Sequence, residues 1–168
     1  MVSELDLRKH IEAFAGTISH QPLGLARYRP ESWGQPTRCF ENALRKVQEE
    51  MGEVRFGWMF HHRYVAEIPD SDYLIAVHHA VWHAPSSHLI DVTPFHVDVH
   101  HRPISPGGDV LFLVDDKAVP VCTDRLVAPL PSRFCPVGNN ERLLSHVQRL
   151  SQEEEQQCRL IYEGKAFS

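Results

Sequence analysis

An α+β domain is the fold class this chain predicts, and three observations predict it. A helical apolar stripe begins at Thr37, directly after a loop rich in Pro and Gly; four segments of strand character follow between Val54 and Val114; and helical patterns stand at both ends. The expected arrangement is an antiparallel sheet packed on the helix that starts near Cys39, with the terminal helices as cover. At 168 residues the chain is long enough to bury a core without disulfide staples. No repeat or linker divides it, so residues 1–168 are expected to form a single domain with its core over about 34–115.

Leu7, Ile11, Phe14 and Ile18 recur at helical spacing and predict a first helix over 4–18, capped by Ser3. Residues 20–37 hold Pro22, Gly24, Pro30, Gly34 and Pro36 and read as a loop that delivers the chain to Cys39. Thr37 is a natural N-cap; beyond it Phe40, Ala43, Leu44, Val47 and Met51 form one stripe, and Gly52 stands where a C-cap belongs. Val54, Phe56, Trp58 and Phe60 alternate with their neighbours as a strand that ends at His61-His62-Arg63. Strands over 73–83, 88–93 and 109–114 are set off by the turns Pro69-Asp70, Pro85-Ser86-Ser87 and Pro106-Gly107-Gly108. Pro120, Pro129, Pro131 and Pro136 make 119–137 extended cover with little regular structure. The last helix, 140–162, places Leu143, Leu144, Val147, Leu150, Cys158 and Ile161 on a helical pattern, with Glu153-Glu154-Glu155-Gln156-Gln157 as a solvated face.

A net charge of −5 with scattered Lys and Arg argues against nucleic acid as a partner. The first residues lack the basic start and apolar core of a secretory signal, and no apolar run approaches the roughly 20 residues of a membrane span. A cytoplasmic protein that does not engage the membrane is the expectation. Cys39, Cys122, Cys135 and Cys158 are widely spaced without a C-x-x-C pair, which reads as reduced thiols.

The most informative pattern is the chain order Cys39, His79, Asp91, which is the order of a thiol nucleophile, its base and the orienter of that base. A thiol of ordinary pKa, about 8.5, is mostly protonated at neutral pH and needs a helix N-terminus or a nearby imidazolium to become a thiolate. Cys39 is expected in the first turn of its helix, where unpaired N–H groups and the positive end of the dipole favour that charge. On the strand 73–83, His79 shares a face with Val77 and Val81 while His78 points the other way, so the two are not expected to serve one site. A hairpin with its tip near Pro85-Ser86-Ser87 would place Asp91 opposite His79 and fix the imidazole tautomer. The Cys39 backbone N–H and the Gln35 side chain are candidate oxyanion donors. Asn42, one turn after Cys39, is a candidate to line the site, and Trp58 and Glu67 are candidates to border it.

The loop Gly34-Gln35 leading to Cys39 at a helix start, then His79-Ala80-Val81 on a strand and Asp91 on the next, resembles the papain-like thiol hydrolase superfamily, with its transglutaminase-like and NlpC/P60-like branches. The resemblance covers about residues 34–94. It implies a papain-like or transglutaminase-like core with Cys39 as nucleophile, His79 as base, Asp91 as orienter and Gln35 as oxyanion donor. Arg38-Cys39-Phe40-Glu41-Asn42 is also similar to the nucleophile motif of arylamine N-acetyltransferases, which are longer enzymes. Gln35 lies closer to the cysteine than in papain itself, and the chain has no second lobe to form a deep peptide cleft.

The expected function is therefore cleavage or transfer at an amide, with a peptide or small amide as substrate and neither cofactor nor metal. Peptidase, amidase, deamidase and acyl transferase all remain open. Two other classes stand beside it. One is a non-catalytic binding module on the same shell. The other is a metal-binding protein built on the 12 histidines, above all His96, Asp98 and His100, with His61, His62, His83 or His101 as helpers. On a straight strand His96 and His100 stand about 13 Å apart, too far to share one ion, and a solvated histidine-rich loop is the simpler reading.

Overall fold

The computed structural model describes residues 4–96, 103–123 and 126–164. In chain order its elements are α1 (Glu4–Ile18), β1 (Leu23–Tyr28), α2 (Cys39–Glu50), β2 (Glu53–Arg63), β3 (Tyr73–His83), β4 (Leu89–Asp91), a single 3-10 turn (Pro106–Gly108), β5 (Val110–Val114), β6 (Val121–Cys122), β7 (Val127–Ala128), β8 (Arg133–Pro136) and α3 (Glu141–Tyr162). The mixed α+β class is as the pattern predicts.

β2 and β3 form the long hairpin at the centre, paired without interruption from Glu53↔His83 to Arg63↔Tyr73. The sheet then runs β2-β5-β1-β4-β3, and the β2–β3 pairing closes it into a five-stranded barrel, with β8 added along β3. Met59, Val81, Val110, Phe112 and Ala26, with Leu89 half-buried beside them, pack into one cluster to which all five strands contribute. Gly57 makes the closure possible. A Cβ there would lie 2.0 Å from the Leu113 carbonyl oxygen, so only a residue without one lets β5 cross β2 this closely.

Three expectations about the sheet are corrected. Residues 23–28, read as loop, are a strand with ladder partners on both edges: antiparallel to β5 and parallel to β4. The sheet is therefore not wholly antiparallel. Gly24, Ala26 and Tyr28 form one face of β1 and Leu25 is half exposed, so the alternation that normally marks a strand is missing. In addition β8 turns part of the proline-rich segment 119–137 into sheet, with Pro136 at the strand's end, where a missing N–H is tolerated.

The helices cover this barrel. Ile11, Phe14 and Ala15 of α1 pack on Trp58, Phe60, Leu74 and Leu113. Leu143 and Val147 of α3 pack on Tyr73 and Ile75, and Asn140 caps α3 by accepting from the Arg142 and Leu143 N–H groups. Phe40 and Ala43 of α2 pack on Ala80. The stripe read on α2 is only partly its buried face: Leu44 and Met51 are exposed, whereas Cys39, Asn42 and Lys46 are buried. Lys46 pairs with Glu31 and, at 2.6 Å, with Glu50. Burial alone would lower its pKa, and these two carboxylates raise it instead.

One gap in the ladder positions the site. Along the edge of β3 away from β2, β4 pairs with Trp82 and His83 and β8 with Tyr73 to Ala76. Among the described residues nothing pairs with Val77 to Val81 on that side.

Candidate active site

Cys39 is the first residue of α2 and is buried, at 6% exposure. The expectation that Thr37 caps this helix is corrected. The cap position is Arg38, which makes no side-chain cap hydrogen bond, and Thr37 sits at φ +67°. A β-branched residue in the left-handed region is strained, by about 1–2 kcal/mol. The N–H groups of this first turn, to which Cys39 belongs, thus have neither an intrahelical acceptor nor a capping side chain.

His79 lies in the ladder gap of β3 and is 5% exposed; Asp91 ends β4 and is fully buried. The His79 Nε2 atom is 3.1 Å from Asp91 Oδ1. The two are in ion-pair contact rather than an aligned hydrogen bond, and among the described residues Asp91 Oδ2 has no hydrogen-bond partner. Asp91 Oδ1 also accepts from the Thr93 N–H at 3.0 Å. Burial alone would pull the imidazolium down, but the charge of Asp91 and the Cys39 sulfur outweigh it and hold His79 well above the usual histidine value. With Nε2 turned to Asp91, Nδ1 is the nitrogen left for the thiol. The register differs from the expected one: β3 and β4 pair Trp82 with Ile90, which sets Asp91 opposite Val81 and one diagonal from His79.

A cleft of about 750 Å³ opens over Cys39 and His79. Met59, Val77, Pro94 and Phe95 form one apolar side, and Phe95 is held by stacking on Tyr28 at 3.9 Å between centroids. The strap Leu126–Ser132 forms the other. Three side chains pin that strap: Tyr162 Oη donates to the Pro129 carbonyl (2.6 Å), Glu154 Oε1 accepts from the Ser132 N–H (3.0 Å), and His78 Nδ1 accepts from the Leu130 N–H (2.8 Å). His78 Nε2 in turn donates to the Ala118 carbonyl at 2.6 Å, so the ring is neutral with both nitrogens engaged. Its pKa is lowered, by burial above all. Because the ladder gap leaves the edge of β3 open, His78 and His79 both reach the cleft from opposite faces. That corrects the expectation that one site cannot include both; His78 anchors the wall. Glu154, read as solvated, borders the cleft as well.

Cys39, His79 and Asp91 are thus brought together. Gln35 is not: its side chain is exposed and outside the cleft lining. Asn42 is buried behind the site rather than lining it. Trp58 is in the α1-facing core, where its indole N–H donates to Asp115, and Glu67 is an exposed residue away from the cleft. Of the histidine cluster, His96 borders the cleft, whereas Asp98, His100 and His101 lie outside the described residues. His62 contacts Asp72 at 2.8 Å and His83 contacts Glu53 at 2.9 Å. Among the described residues no three His, Cys, Asp or Glu side chains are grouped to hold a metal ion. None of their helices is long and apolar enough to cross a membrane. The strap-pinning roles of His78, Glu154 and Tyr162 carry no local sequence signature, because each joins elements far apart in the chain.

No family model matches this chain, and neither does any curated protein or solved structure.

Proposed function

We propose that this chain is a thiol-dependent hydrolase or acyl transferase acting on an amide, of peptidase, amidase or deamidase type, through Cys39, His79 and Asp91. The observation that carries the reading is one histidine, buried between a carboxylate 3.1 Å away and a thiol at an uncapped helix start, in the floor of a cleft. A base set between its orienter and its nucleophile is the arrangement nucleophilic catalysis requires.

Cys39 passes its proton to His79 Nδ1, and its sulfur attacks the carbonyl carbon of the amide. The carbonyl electron pair moves to oxygen, where the Cys39 N–H donates to it. Collapse expels the amine, which takes the proton from His79, and leaves a thioester on Cys39. Water or a second amine, deprotonated by His79, then releases the acyl group and restores the thiol. Asp91 keeps the imidazole oriented and stabilises its positive form. The chain order of the three residues, with the cysteine at a helix start, supports membership of the papain-like thiol hydrolases. The parallel β1–β4 seam is a feature that resemblance does not imply. The substrate in this reading is a peptide or small amide. Four unpaired thiols fit a reducing compartment, and the cytoplasm is the proposed location.

Site-resolved alkylation by iodoacetamide at pH 7 tests the proposal. Cys39 is expected to label at least as fast as exposed Cys122 despite its burial, and about tenfold or more slowly in His79→Ala. Labelling no faster than buried Cys158, or unchanged in His79→Ala, overturns it. A binding module on the same shell is the second reading. The unaligned His79–Asp91 contact favours it, and an inert Cys39 selects it.

A further inference from the structure

Asn42 sits behind the site and Thr93 is part of the cleft lining; they are 5% and 4% exposed, and neither takes part in the chemistry proposed above. Both amide hydrogens of Asn42 are engaged: Nδ2 donates to the Gln35 carbonyl at 2.8 Å and to Thr93 Oγ1 at 3.2 Å. Its Oδ1 accepts from the Gln35 N–H at 3.2 Å. Thr93 in turn donates its N–H to Asp91 Oδ1, the same oxygen that faces His79. A continuous polar chain therefore runs from the loop before Cys39, through the helix that carries Cys39, to the carboxylate that holds the base. Asn42 is one helical turn from Cys39, and Thr93 is two residues from Asp91.

We infer that Asn42 and Thr93 are positioning residues which set the distance between the Cys39 helix and the His79–Asp91 pair. This rests on the thiol-hydrolase reading for its consequence, though not for its geometry. Two further observations support it. Asn42 at a buried helix position is a poor helix former that requires its polar atoms to be met, and this network meets them. Elsewhere the seam between β4 and the loop after β1 is held by backbone bonds, Arg29 N–H to the Asp91 carbonyl and Glu31 N–H to the Val92 carbonyl, which fix the strand but not the carboxylate. Among the described residues the link from Asn42 through Thr93, whose N–H donates to Asp91 Oδ1, is the hydrogen-bonded connection between α2 and the Asp91 side chain.

The test pairs two readouts on wild type, Thr93→Val, Thr93→Ser, Asn42→Ala and His79→Ala. The first is iodoacetamide alkylation of Cys39 at pH 7; the second is the NMR titration of the His79 ring, whose charged or titratable neighbours are Asp91, Cys39 and His78. Thr93→Val is nearly isosteric and exchanges the hydroxyl that accepts from Asn42 for a methyl group, so it serves where Asn42→Ala fails to fold. Thr93→Val is expected to slow alkylation about five- to tenfold and to shift the His79 titration downward, and Thr93→Ser to restore both. Retained alkylation and an unmoved His79 titration in Thr93→Val, with alkylation slowed in His79→Ala, overturns the positioning role and leaves the proposed function standing. A moved titration in Thr93→Val with alkylation unchanged in His79→Ala supports the positioning geometry and overturns the function.

Discussion

At the scale of single residues, the site turns on a contest between burial and charge. His79 is almost wholly removed from water, which disfavours its positive form, and only the adjacent negative groups reverse that. Replacing Asp91 by Asn keeps the volume and the acceptor for the Thr93 N–H while removing the charge. The His79 ring titration is therefore expected to fall by about one pH unit or more in Asp91→Asn, and Cys39 alkylation to slow with it. An unchanged titration would mean that Asp91 does not govern the imidazole. Thr37 belongs to the same scale. A strained threonine stands two residues before the thiol, and the cap position after it, Arg38, leaves the first-turn donors without a capping side chain.

At the scale of elements, the barrel depends on close crossings that few residues permit. Gly57→Ala forces a methyl group onto the Leu113 carbonyl at the point where β5 passes β2, opposite His79 in the hairpin. It is expected to cost about 2–3 kcal/mol, read as a lower urea midpoint, because backbone rather than a flexible side chain must yield. No change in midpoint would mean the strands separate freely there. This is also the scale at which sequence pattern succeeds and fails. β3 was legible to the residue, because eight of the eleven residues of Tyr73–His83 are apolar or aromatic and the other three are histidines, between clear turns. The ends of α3 were legible from Leu143 and Val147 and their spacing. β1 was not, since its inward face is Gly24, Ala26 and Tyr28, and its strand character comes from neighbours distant in the chain. The site divides in the same way. Cys39, His79 and Asp91 were readable because each sits in a distinctive local context. Asn42 and Glu154 were misread because a helix surface and a helix interior look alike until the partners, Thr93 and Ser132, are folded against them.

At the scale of the whole molecule, adjacent histidines impose opposite pH dependences. His79 is raised on folding, so its contribution to stability is fully present below the unfolded value of about 6.5 and is lost as pH rises through its higher folded value. His78 is lowered, so its contribution is present above about 6.5 and is lost as pH falls through its folded value, when protonation breaks the bond to the Leu130 N–H. Urea unfolding across pH 4 to 10 is expected to show a maximum between the two. His79→Gln should flatten the alkaline arm and His78→Gln the acid arm; an acid arm identical in His78→Gln would remove the strap's anchor from this account. The order of the elements adds a consequence in time. β5 joins β1 to β2, and α3, the last element, supplies Glu154 and Tyr162 to the strap. A chain emerging from the ribosome therefore carries its thiol, base and carboxylate long before the wall that frames them, and the pocket is completed only once α3 has emerged.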